Sequence, residues 1–315
     1  MKRKKLKIFV TGGSGFIGQH VIKSFLNIKN ISITSFDLCY PRVKEKNVKY
    51  LLGTIMDKPA LTKMMKNHDK VLHLAAAIGV RQTAFEELNC LNINIMGTVN
   101  VLDACLVNGI QDVLITSSSE VYGDINENSI DEESLFNPKS TYAVSKLSGE
   151  KYAMAYASEY RLKPRIVRYF NVYGPGQSRN FVAAKFAHKL AQKKKVTVYG
   201  QGNQIRSFCF VRDAADATIK IILSNRTSNT IYNIGNDKEP ISILALANKF
   251  CKLNNLGDRF IEKIDFKYSD RSSIREIYKR IPDITKLKEN LKYKPVVNLD
   301  MGIKILMDSI VNEKN

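Results

Sequence analysis

The sequence lacks the cysteine patterns that mark disulfide frameworks and zinc sites. Its five cysteines are an odd number, and no two of them stand in a C-x-x-C spacing. A disulfide-stapled fold is therefore not expected, and neither is a structural metal site. Free cysteines of this kind fit a reducing, cytoplasmic setting.

Long apolar runs are also missing. The run at residues 8–10 follows a basic N-terminus but is too short for the apolar core of a signal peptide. No stretch approaches the roughly 20 apolar residues of a transmembrane helix. The sequence shows no internal repeat and no low-complexity linker, so we expect a globular chain without a membrane partner.

Positive charge is what the sequence has in excess, with a formal net charge of +19. The lysines are scattered, and the longest basic runs, at residues 2–5 and 193–195, are short. Without a recognition motif, this favours a solvated lysine-rich surface over a nucleic-acid partner. A positive field would in either case steer an anionic small substrate towards the protein.

Short apolar segments alternate with longer helical patterns over the first half of the chain. The segments typical of buried strands are residues 6–10, 31–36, 71–75, 112–116 and 165–169. The helical patterns are residues 18–27, 85–107 and 142–160. This alternation predicts an α/β fold with a Rossmann-type, doubly wound parallel sheet.

The pattern changes after the turn Gly174-Pro175-Gly176, where the segments become shorter and more mixed. We therefore predict two domains, a cofactor domain at residues 1–175 and a smaller α/β substrate domain at residues 176–315. Part of residues 208–235, a strand and the helix after it, is expected to return to the first domain.

A glycine-rich run, T-G-G-S-G-F-I-G at residues 11–18, joins the first strand to the first helix. Gly12 suits a sharp turn, Gly15 lets the backbone approach a pyrophosphate, and Gly18 lets the helix pack against the sheet. The N–H groups at the helix start, around Phe16 and Ile17, can bind the anion. Strand, loop, helix and second strand together predict a dinucleotide site.

Asp37 ends the second strand, close to the distance expected after the glycines. An acid at this place hydrogen-bonds the ribose hydroxyls and repels a 2′-phosphate, which favours NAD over NADP. Arg42 lies nearby in the sequence and weakens this preference slightly.

Tyr142 and Lys146 stand four residues apart, so they share one face of a helix. A free tyrosine has a pKa near 10, and a nearby ammonium and a positive nicotinamide ring are expected to lower that pKa. Tyr142 would then take the proton of a substrate hydroxyl while the carbinol hydrogen leaves as hydride. Ser118 ends a serine-rich strand at the ligand-binding edge of the sheet, where its hydroxyl can bind the reacting oxygen.

Taken in order, the motifs resemble those of one family. They are T-G-G-S-G-F-I-G, H-L-A-A at residues 73–76, N-I-M-G-T at 94–98, S-S-S-E-V-Y-G at 117–123, Y-A-V-S-K at 142–146 and R-Y-F-N-V-Y-G-P-G at 168–176. Over nearly its whole length the chain resembles the extended short-chain dehydrogenase/reductases, specifically the NAD-dependent epimerase/dehydratase family of nucleotide sugars.

The resemblance implies roles by position. Ser118 matches the family's catalytic serine or threonine, Tyr142 its base and Lys146 its ribose-binding lysine. The resemblance adds four residues around the cofactor: Asp57 at the adenine, Ala75 and Ala76 along the cofactor, and Asn94 in support of the active-site geometry.

For the substrate, the resemblance implies Asn171 against the sugar nucleotide and Arg206 at its diphosphate. A second phosphate-binding arginine is expected nearby, and Arg271 is preferred to Arg275. Guanidinium groups match phosphate in a fork geometry. The expected ligands are therefore NAD and a nucleotide sugar, and the helices at residues 85–107 and 142–160 resemble those that form a homodimer interface in this family.

Most of this family passes through a 4-keto sugar, after which its branches diverge. A 4-epimerase returns the hydride to the opposite face, a 4,6-dehydratase needs an extra base and acid, and a decarboxylase needs a cation for the carboxylate. Glu120 matches the glutamate of dehydratases and decarboxylases, but the decarboxylases' arginine-containing segment around Tyr142 is absent. The motifs around Tyr142 and Asn171 resemble those of UDP-sugar 4-epimerases, whereas Ser119 with Glu120 resembles GDP-mannose dehydratases.

We therefore expect a UDP-sugar 4-epimerase, with a 4,6-dehydratase of a GDP- or UDP-hexose that uses Glu120 as the alternative. Outside enzymes, a nucleic-acid-binding member of the fold would show steeply salt-dependent binding, and a cofactor-sensing regulator would need only the glycine loop. The set of Ser118, Tyr142 and Lys146 argues against both, because neither binding function needs it.

Overall fold

The computed structural model describes residues 5–78, 86–125, 127–268 and 276–312. Its strands are β1 (Leu6–Thr11), β2 (Ile31–Asp37), β3 (Val48–Leu52), β4 (Lys70–His73), β5 (Asp112–Ser118), β6 (Lys163–Tyr169), β7 (Val172–Tyr173), β8 (Val196–Tyr199), β9 (Ile205–Ser207), β10 (Cys209–Phe210), β11 (Thr230–Ile234), β12 (Pro240–Ser242), β13 (Ile261–Ile264) and β14 (Lys279–Arg280). Its helices are α1 (Phe16–Leu26), α2 (Lys58–Met65), α3 (Glu87–Val107), α4 (Thr141–Tyr160), α5 (Val182–Ala191), α6 (Val211–Leu223), α7 (Ile243–Leu253), α8 (Thr285–Leu291) and α9 (Leu299–Asn312).

Seven strands form one sheet in the order β11-β6-β5-β4-β1-β2-β3, and every neighbouring pair is parallel. The chain runs outward from β1 to β3 and then returns to β4 on the other side of β1. Open α/β sheets bind ligands at the carboxyl ends of the strands where the order reverses in this way. The predicted Rossmann-type, doubly wound sheet is confirmed.

Helices cover both faces of this sheet. Successive side chains of β1 pack alternately against the helices of one face and those of the other. Ile8 and Val10 pack into a core with residues of α1 and α6, whereas Phe9 packs into a second core with residues of α2 and α3. Successive side chains of a strand point to opposite faces. Because both faces are covered, all three residues are apolar and buried.

Helix α3 is long and apolar enough to cross a membrane by length and composition alone. The expectation that no stretch approaches that span was therefore wrong for this helix. The helix is, however, a core element of the protein, because it packs against α4 and α2 and buries Val101 and Leu102 completely. Core helices of globular proteins commonly meet the same criterion.

The C-terminal part of the chain builds a smaller α/β layer. It contains the parallel pair β8 and β13 and a three-stranded sheet in the order β12-β9-β14. Helices α5, α7 and α9 enclose its apolar core, which includes Phe186, Phe250 and Ile303. Strand β11 lies in the large sheet beside β6, and α6 packs against α1, so the chain crosses between the two layers more than once.

Candidate active site

The glycine loop lies tightly between the end of β4 and the start of α1. Gly12 has a φ of +72°, and a Cβ built on it would lie 2.5 Å from the backbone nitrogen of Ala75. A Cβ on Gly18 would lie 2.2 Å from the carbonyl oxygen of Gly12. Glycine is required at both places because any side chain would collide with backbone.

The loop presents the start of α1 to the carboxyl edge of the sheet. Gly15 is the N-cap of α1 and supplies no side-chain cap, so the first N–H groups of the helix are left for another acceptor. Such N–H groups favour a phosphate. The backbone and helix start therefore fit the pyrophosphate of a dinucleotide.

A cavity of about 1100 Å³ begins at this loop and extends between the two layers. It brings together most of the residues singled out from the sequence. These are Gly12, Gly15, Phe16, Ile17, Gly18, Asp37, Ala75, Ala76, Ser118, Glu120, Tyr142, Lys146, Asn171 and Arg206.

Two residues expected at the cofactor do not line the cavity. Asp57 caps α2, where its carboxylate accepts a hydrogen bond of 3.0 Å from the backbone N–H of Ala60. Asn94 is buried behind the cavity wall, accepts from the N–H of Ala77 at 2.7 Å and donates to the hydroxyl of Ser145 at 3.0 Å. Both therefore position backbone rather than line the cavity.

The second phosphate-binding arginine expected from the resemblance lies outside the described residues. Both Arg271 and Arg275 fall there, so the preference for Arg271 stays a prediction. Asn171 has a φ of +39° and donates to the carbonyl oxygen of Ser207 at 3.2 Å, which fixes its amide at the cavity wall.

Tyr142 stands in the first turn of α4. Ser140 caps this helix, because its hydroxyl accepts a hydrogen bond of 3.1 Å from the N–H of Ala143. Tyr142 is 9% exposed, and the hydroxyl of Ser118 at the end of β5 acts to lower its pKa. The helix cap and the strand end thus bring both hydroxyl groups to the same cavity.

The electrostatics of Tyr142 differ from the expectation. Burial raises the pKa of Tyr142 above its ordinary value of 10.0, and the carboxylate of Glu120 raises it further. The hydrogen bond from Ser118 and the guanidinium of Arg280 act in the opposite direction but do not compensate. The expected fall in this pKa is therefore not a property of the chain by itself, since burial penalises the phenolate.

Lys146 follows one helical turn after Tyr142 and is 6% exposed. Burial lowers the pKa of Lys146 to about 8, whereas the carboxylate of Glu150, one turn further along α4, acts to raise it. The ammonium therefore titrates near neutral pH, and it lies on the same cavity wall as Tyr142.

Glu150 belongs to a buried ion pair that ties α4 to β6. Arg168 Nε and Nη2 donate to the two carboxylate oxygens at 2.9 and 2.7 Å. Arg168 also donates to the hydroxyl of Tyr122 at 2.7 Å and lies 4.8 Å from the rings of Tyr122 and Phe136. Because Tyr122 belongs to the 3₁₀ turn Ser119–Tyr122, this cluster connects α4 to the segment that carries Glu120.

Glu120 lies at the ligand-binding edge of the sheet proposed from the sequence, on the same short turn. Its Oε2 accepts a hydrogen bond of 3.2 Å from Ser140, and its Oε1 lies 3.9 Å from Nη1 of Arg280. Sequence reasoning missed Arg280, which lines the cavity and is 8% exposed. It stands 138 residues after Tyr142, and no local motif marks it.

Arg206 is held by Glu276, a residue that the sequence analysis did not single out. Its Nη2 donates to Glu276 at 3.0 Å, and its Nη1 donates to the carbonyl oxygen of Ile205 at 2.9 Å. Glu276 lies directly beside the undescribed residues 269–275, and it also lines the cavity. These contacts fix the guanidinium of Arg206 at the wall formed by β9.

The family follows from this architecture and from a direct match. The chain belongs to the NAD dependent epimerase/dehydratase family, whose model matches residues 8–235. The resemblance given by the sequence motifs is thereby confirmed. The chain is an enzyme of this class, and the cofactor of the class is NAD.

Three similar proteins are named for reactions of UDP-sugars. The chain is 33% identical to a UDP-N-acetyl-alpha-D-glucosaminuronate decarboxylase from Bacillus cytotoxicus, over 95% of this chain and 96% of the relative. It is 32% identical to a putative UDP-glucose 4-epimerase from Methanocaldococcus jannaschii, over 97% and 98% of the two chains. The solved structure of a UDP-glucuronic acid 4-epimerase from Bacillus cereus, in complex with UDP-glucuronic acid and NAD, matches 98% of this chain and 100% of its own, with 28% identity and a TM-score of 0.89.

Proposed function

We propose that the chain is a UDP-sugar 4-epimerase that works through a 4-keto intermediate. The observation that supports this most directly is the convergence of Ser118, Tyr142 and Lys146 in one cavity with the glycine loop and Arg206. The similar proteins named above act on UDP-sugars, and two of them are named as 4-epimerases.

The cofactor would occupy the glycine-loop end of the cavity. The N–H groups at the start of α1 would hold its pyrophosphate, Asp37 the adenosine ribose and Lys146 the nicotinamide ribose. When bound, NAD would supply the hydride acceptor for oxidation of the sugar carbon and, in its reduced form, the hydride donor for the return step. Ala75 and Ala76, which line the cavity, would lie along the cofactor.

The substrate would lie against the other half of the cavity. Arg206 would bind the diphosphate through charge-assisted hydrogen bonds, and Asn171 would contact the sugar nucleotide. Tyr142 would take the proton of the C4 hydroxyl, and Ser118 would hold the same oxygen by a hydrogen bond. An epimerase then needs only that the ketone turn over before Tyr142 returns the proton.

Burial alone keeps Tyr142 protonated, so the base form must be stabilised by charge that arrives with the ligands. A positive nicotinamide ring would favour the phenolate, as opposite charges do at short range. Catalysis by Tyr142 is therefore expected only in the presence of the oxidised cofactor.

A 4,6-dehydratase is the second candidate. Glu120 lines the same cavity as Tyr142, close enough for its carboxylate to raise the pKa of that tyrosine, and it could act as the base at C5 of the sugar. The neighbouring Ser119, which together with Glu120 resembles the GDP-mannose dehydratases, is only 1% exposed and offers no carboxyl group of its own. The test is incubation with UDP- and GDP-hexoses, followed by NMR. A C4 epimer supports the proposal, whereas a 4-keto-6-deoxy product overturns it in favour of the dehydratase.

The chain is further proposed to form a homodimer through α3 and α4 in a cytoplasmic setting. The two helices pack against each other and expose apolar side chains on their outer surface, among them Leu88, Met96, Val144 and Tyr152. Such exposed apolar surface favours a protein partner. All five cysteines are free and four of them are buried, which suits a reducing compartment.

A further inference from the structure

His73 ends β4, directly before residues 74–78, which line the cavity. It does not line the cavity itself and is 1% exposed. We propose that His73 is a positioning residue for NAD: its neutral ring, with the hydrogen on Nε2, orients the hydroxyl of Thr11 and so fixes the backbone that faces the cofactor. This rests on the placement of NAD at the glycine loop in the proposed function.

The sheet register brings His73 beside the last residue of β1. Strands β1 and β4 are parallel neighbours, and Thr11 is the register partner of His73. Thr11 has the same parity along β1 as Phe9, so both side chains point to the face covered by α3. Nδ1 of His73 lies 2.8 Å from Oγ1 of Thr11, and Nε2 lies 3.1 Å from Oγ1 of Thr98 in α3. Each ring nitrogen therefore has a hydroxyl partner.

Thr98 determines which ring nitrogen carries the hydrogen. Its hydroxyl donates to the carbonyl oxygen of Asn94, one turn earlier in α3, at 2.6 Å. A hydroxyl has a single hydrogen, so Thr98 can only accept from His73, and Nε2 must be the donor. Burial, and to a smaller extent the charge of Lys146, lowers the pKa of His73 to about 3, so the ring is neutral. Nδ1 is then an acceptor, and Thr11 donates to it.

The orientation of Thr11 reaches the backbone of the cavity wall. Because its hydrogen is directed to His73, the lone pairs of Oγ1 are left for other donors, and the N–H of Ala75 donates to this oxygen at 3.4 Å. The next residue of the chain is Gly12, where a Cβ would lie 2.5 Å from the nitrogen of Ala75. The hydroxyl of Thr11 thus bridges the two backbone segments at the point where they approach most closely.

Helix α3 holds the other end of the same wall directly. The side chain of Asn94 accepts from the N–H of Ala77 at 2.7 Å and donates to its carbonyl oxygen at 3.2 Å. The wall segment is therefore tied to α3 at Ala77 through one side chain and at Ala75 through His73 and Thr11. Loss of the His73 ring would release only the Ala75 end, so we expect the affinity for NAD to change.

The test measures the Kd for NAD by titration calorimetry in two variants of His73. His73→Phe keeps a ring but offers no acceptor to Thr11, and the Kd should rise about 10-fold, because a buried hydroxyl loses its partner. His73→Asn carries a carbonyl oxygen near the place of Nδ1 and should recover most of the affinity. In addition, ¹⁵N NMR of the wild type at pH 7, without NAD, should show the ring hydrogen of His73 on Nε2.

Two comparisons separate positioning from general stability. Nε2 of His68 lies 2.9 Å from the hydroxyl of Thr34, but neither residue lines the cavity. His68→Phe should therefore lower the free energy of unfolding and leave the Kd for NAD unchanged. Thr11→Val removes the hydroxyl at nearly constant size and should weaken NAD binding as His73→Phe does, whereas Thr11→Ser should retain the affinity. This second pair keeps the test valid if His73→Phe does not fold.

Four results would overturn the inference. They are an unchanged Kd for NAD in folded His73→Phe, an equal loss of affinity in His68→Phe, equal affinities of Thr11→Val and Thr11→Ser, and a wild-type ring with its hydrogen on Nδ1. A wild type that binds no NAD would overturn the placement of the cofactor and this inference with it. If the NAD affinities follow the expected order but no UDP-sugar is turned over, the inference is supported and the proposed reaction alone is overturned.

Discussion

The backbone N–H of Ser14 donates a hydrogen bond of 2.9 Å to Oδ2 of Asp37, which joins the glycine loop to the end of β2. The N–H of Leu38 donates to the other carboxylate oxygen at 2.7 Å. Asp37 lines the cavity, and these two hydrogen bonds hold its carboxylate in one orientation at the place expected for the adenosine ribose.

Asp37→Asn should weaken NAD binding by about 10-fold and reduce the preference over NADP, because the substitution removes a charged acceptor and the repulsion of a 2′-phosphate. Titration calorimetry with both dinucleotides measures this. Asp57→Asn is the matched control: it keeps the cap of α2, and NAD affinity should stay unchanged because Asp57 lies outside the cavity. A larger effect at residue 57 than at residue 37 would contradict the assignment.

Tyr142→Phe should reduce turnover of the accepted UDP-sugar by about 100-fold or more, since a general base contributes about 10²- to 10⁴-fold. NAD binding should be nearly unchanged, because only one hydroxyl is lost. Tyr152→Phe changes an exposed tyrosine of the same helix and should have no effect. Retained activity in Tyr142→Phe would remove this residue from the role of base.

The depressed pKa of Lys146 predicts a pH dependence of stability. In the folded chain this pKa is about 8, compared with the ordinary value of 10.5 for an unfolded lysine. Between these values the unfolded state binds the extra proton, so the free energy of unfolding rises with pH. Relative to Lys146→Met, the wild type should gain on the order of 2 kcal/mol from pH 8 to pH 10. Urea unfolding of both proteins across this range, in the absence of NAD, measures the difference; a flat difference would contradict the shift.

Removing one partner of the ion pair between Arg168 and Glu150 should destabilise the fold, whereas replacing both partners should cost much less stability. Glu150→Gln leaves a buried guanidinium without its carboxylate and should lower the free energy of unfolding by about 3–5 kcal/mol. Replacing both residues by methionine should recover much of this loss, because no buried charge remains. Denaturant unfolding measures the stability of Glu150→Gln and of the double methionine variant. Equal stability of these two variants would contradict the prediction.

The proposed dimer gives a prediction for the outer surface of α3. Met96→Glu places a charge among exposed apolar side chains and should convert dimers to monomers in sedimentation experiments. Met301→Glu changes a similarly exposed methionine on α9 and should leave the oligomeric state unchanged. A wild-type monomer at micromolar concentration would refute the dimer.

The large sheet and the strand-end residues could be predicted because their sequence signals are local and long enough to show a period. Two of the seven strands of the sheet were missed. Strand β3 is short and partly exposed, and β11 lies far along the chain from its neighbour β6. Arg280 was missed for a related reason: β14 has two residues, and its place beside β9 follows from pairing between segments distant in the sequence. No periodicity can be recognised over so short a strand.

The electrostatics were harder to predict than the positions. The spacing of Tyr142 and Lys146 correctly places both residues on one helix, but it does not reveal how deeply they are buried. Burial changes the balance, because it raises the pKa of the phenol and lowers that of the ammonium. A sequence pattern indicates which charges are near, whereas the loss of water around them depends on the tertiary packing.

The position of β11 at the edge of the large sheet has a consequence for synthesis on the ribosome. Strand β6 ends at Tyr169, but its partner is complete only when Ile234 has been added. Because translation adds roughly 5–20 residues per second, the outer edge of β6 keeps its backbone groups unpaired for about 3 to 13 seconds. A nascent chain at that stage exposes a sheet edge prone to association. A fragment that stops at residue 175 would keep this edge permanently and should aggregate, whereas one that continues past residue 235 would have closed it.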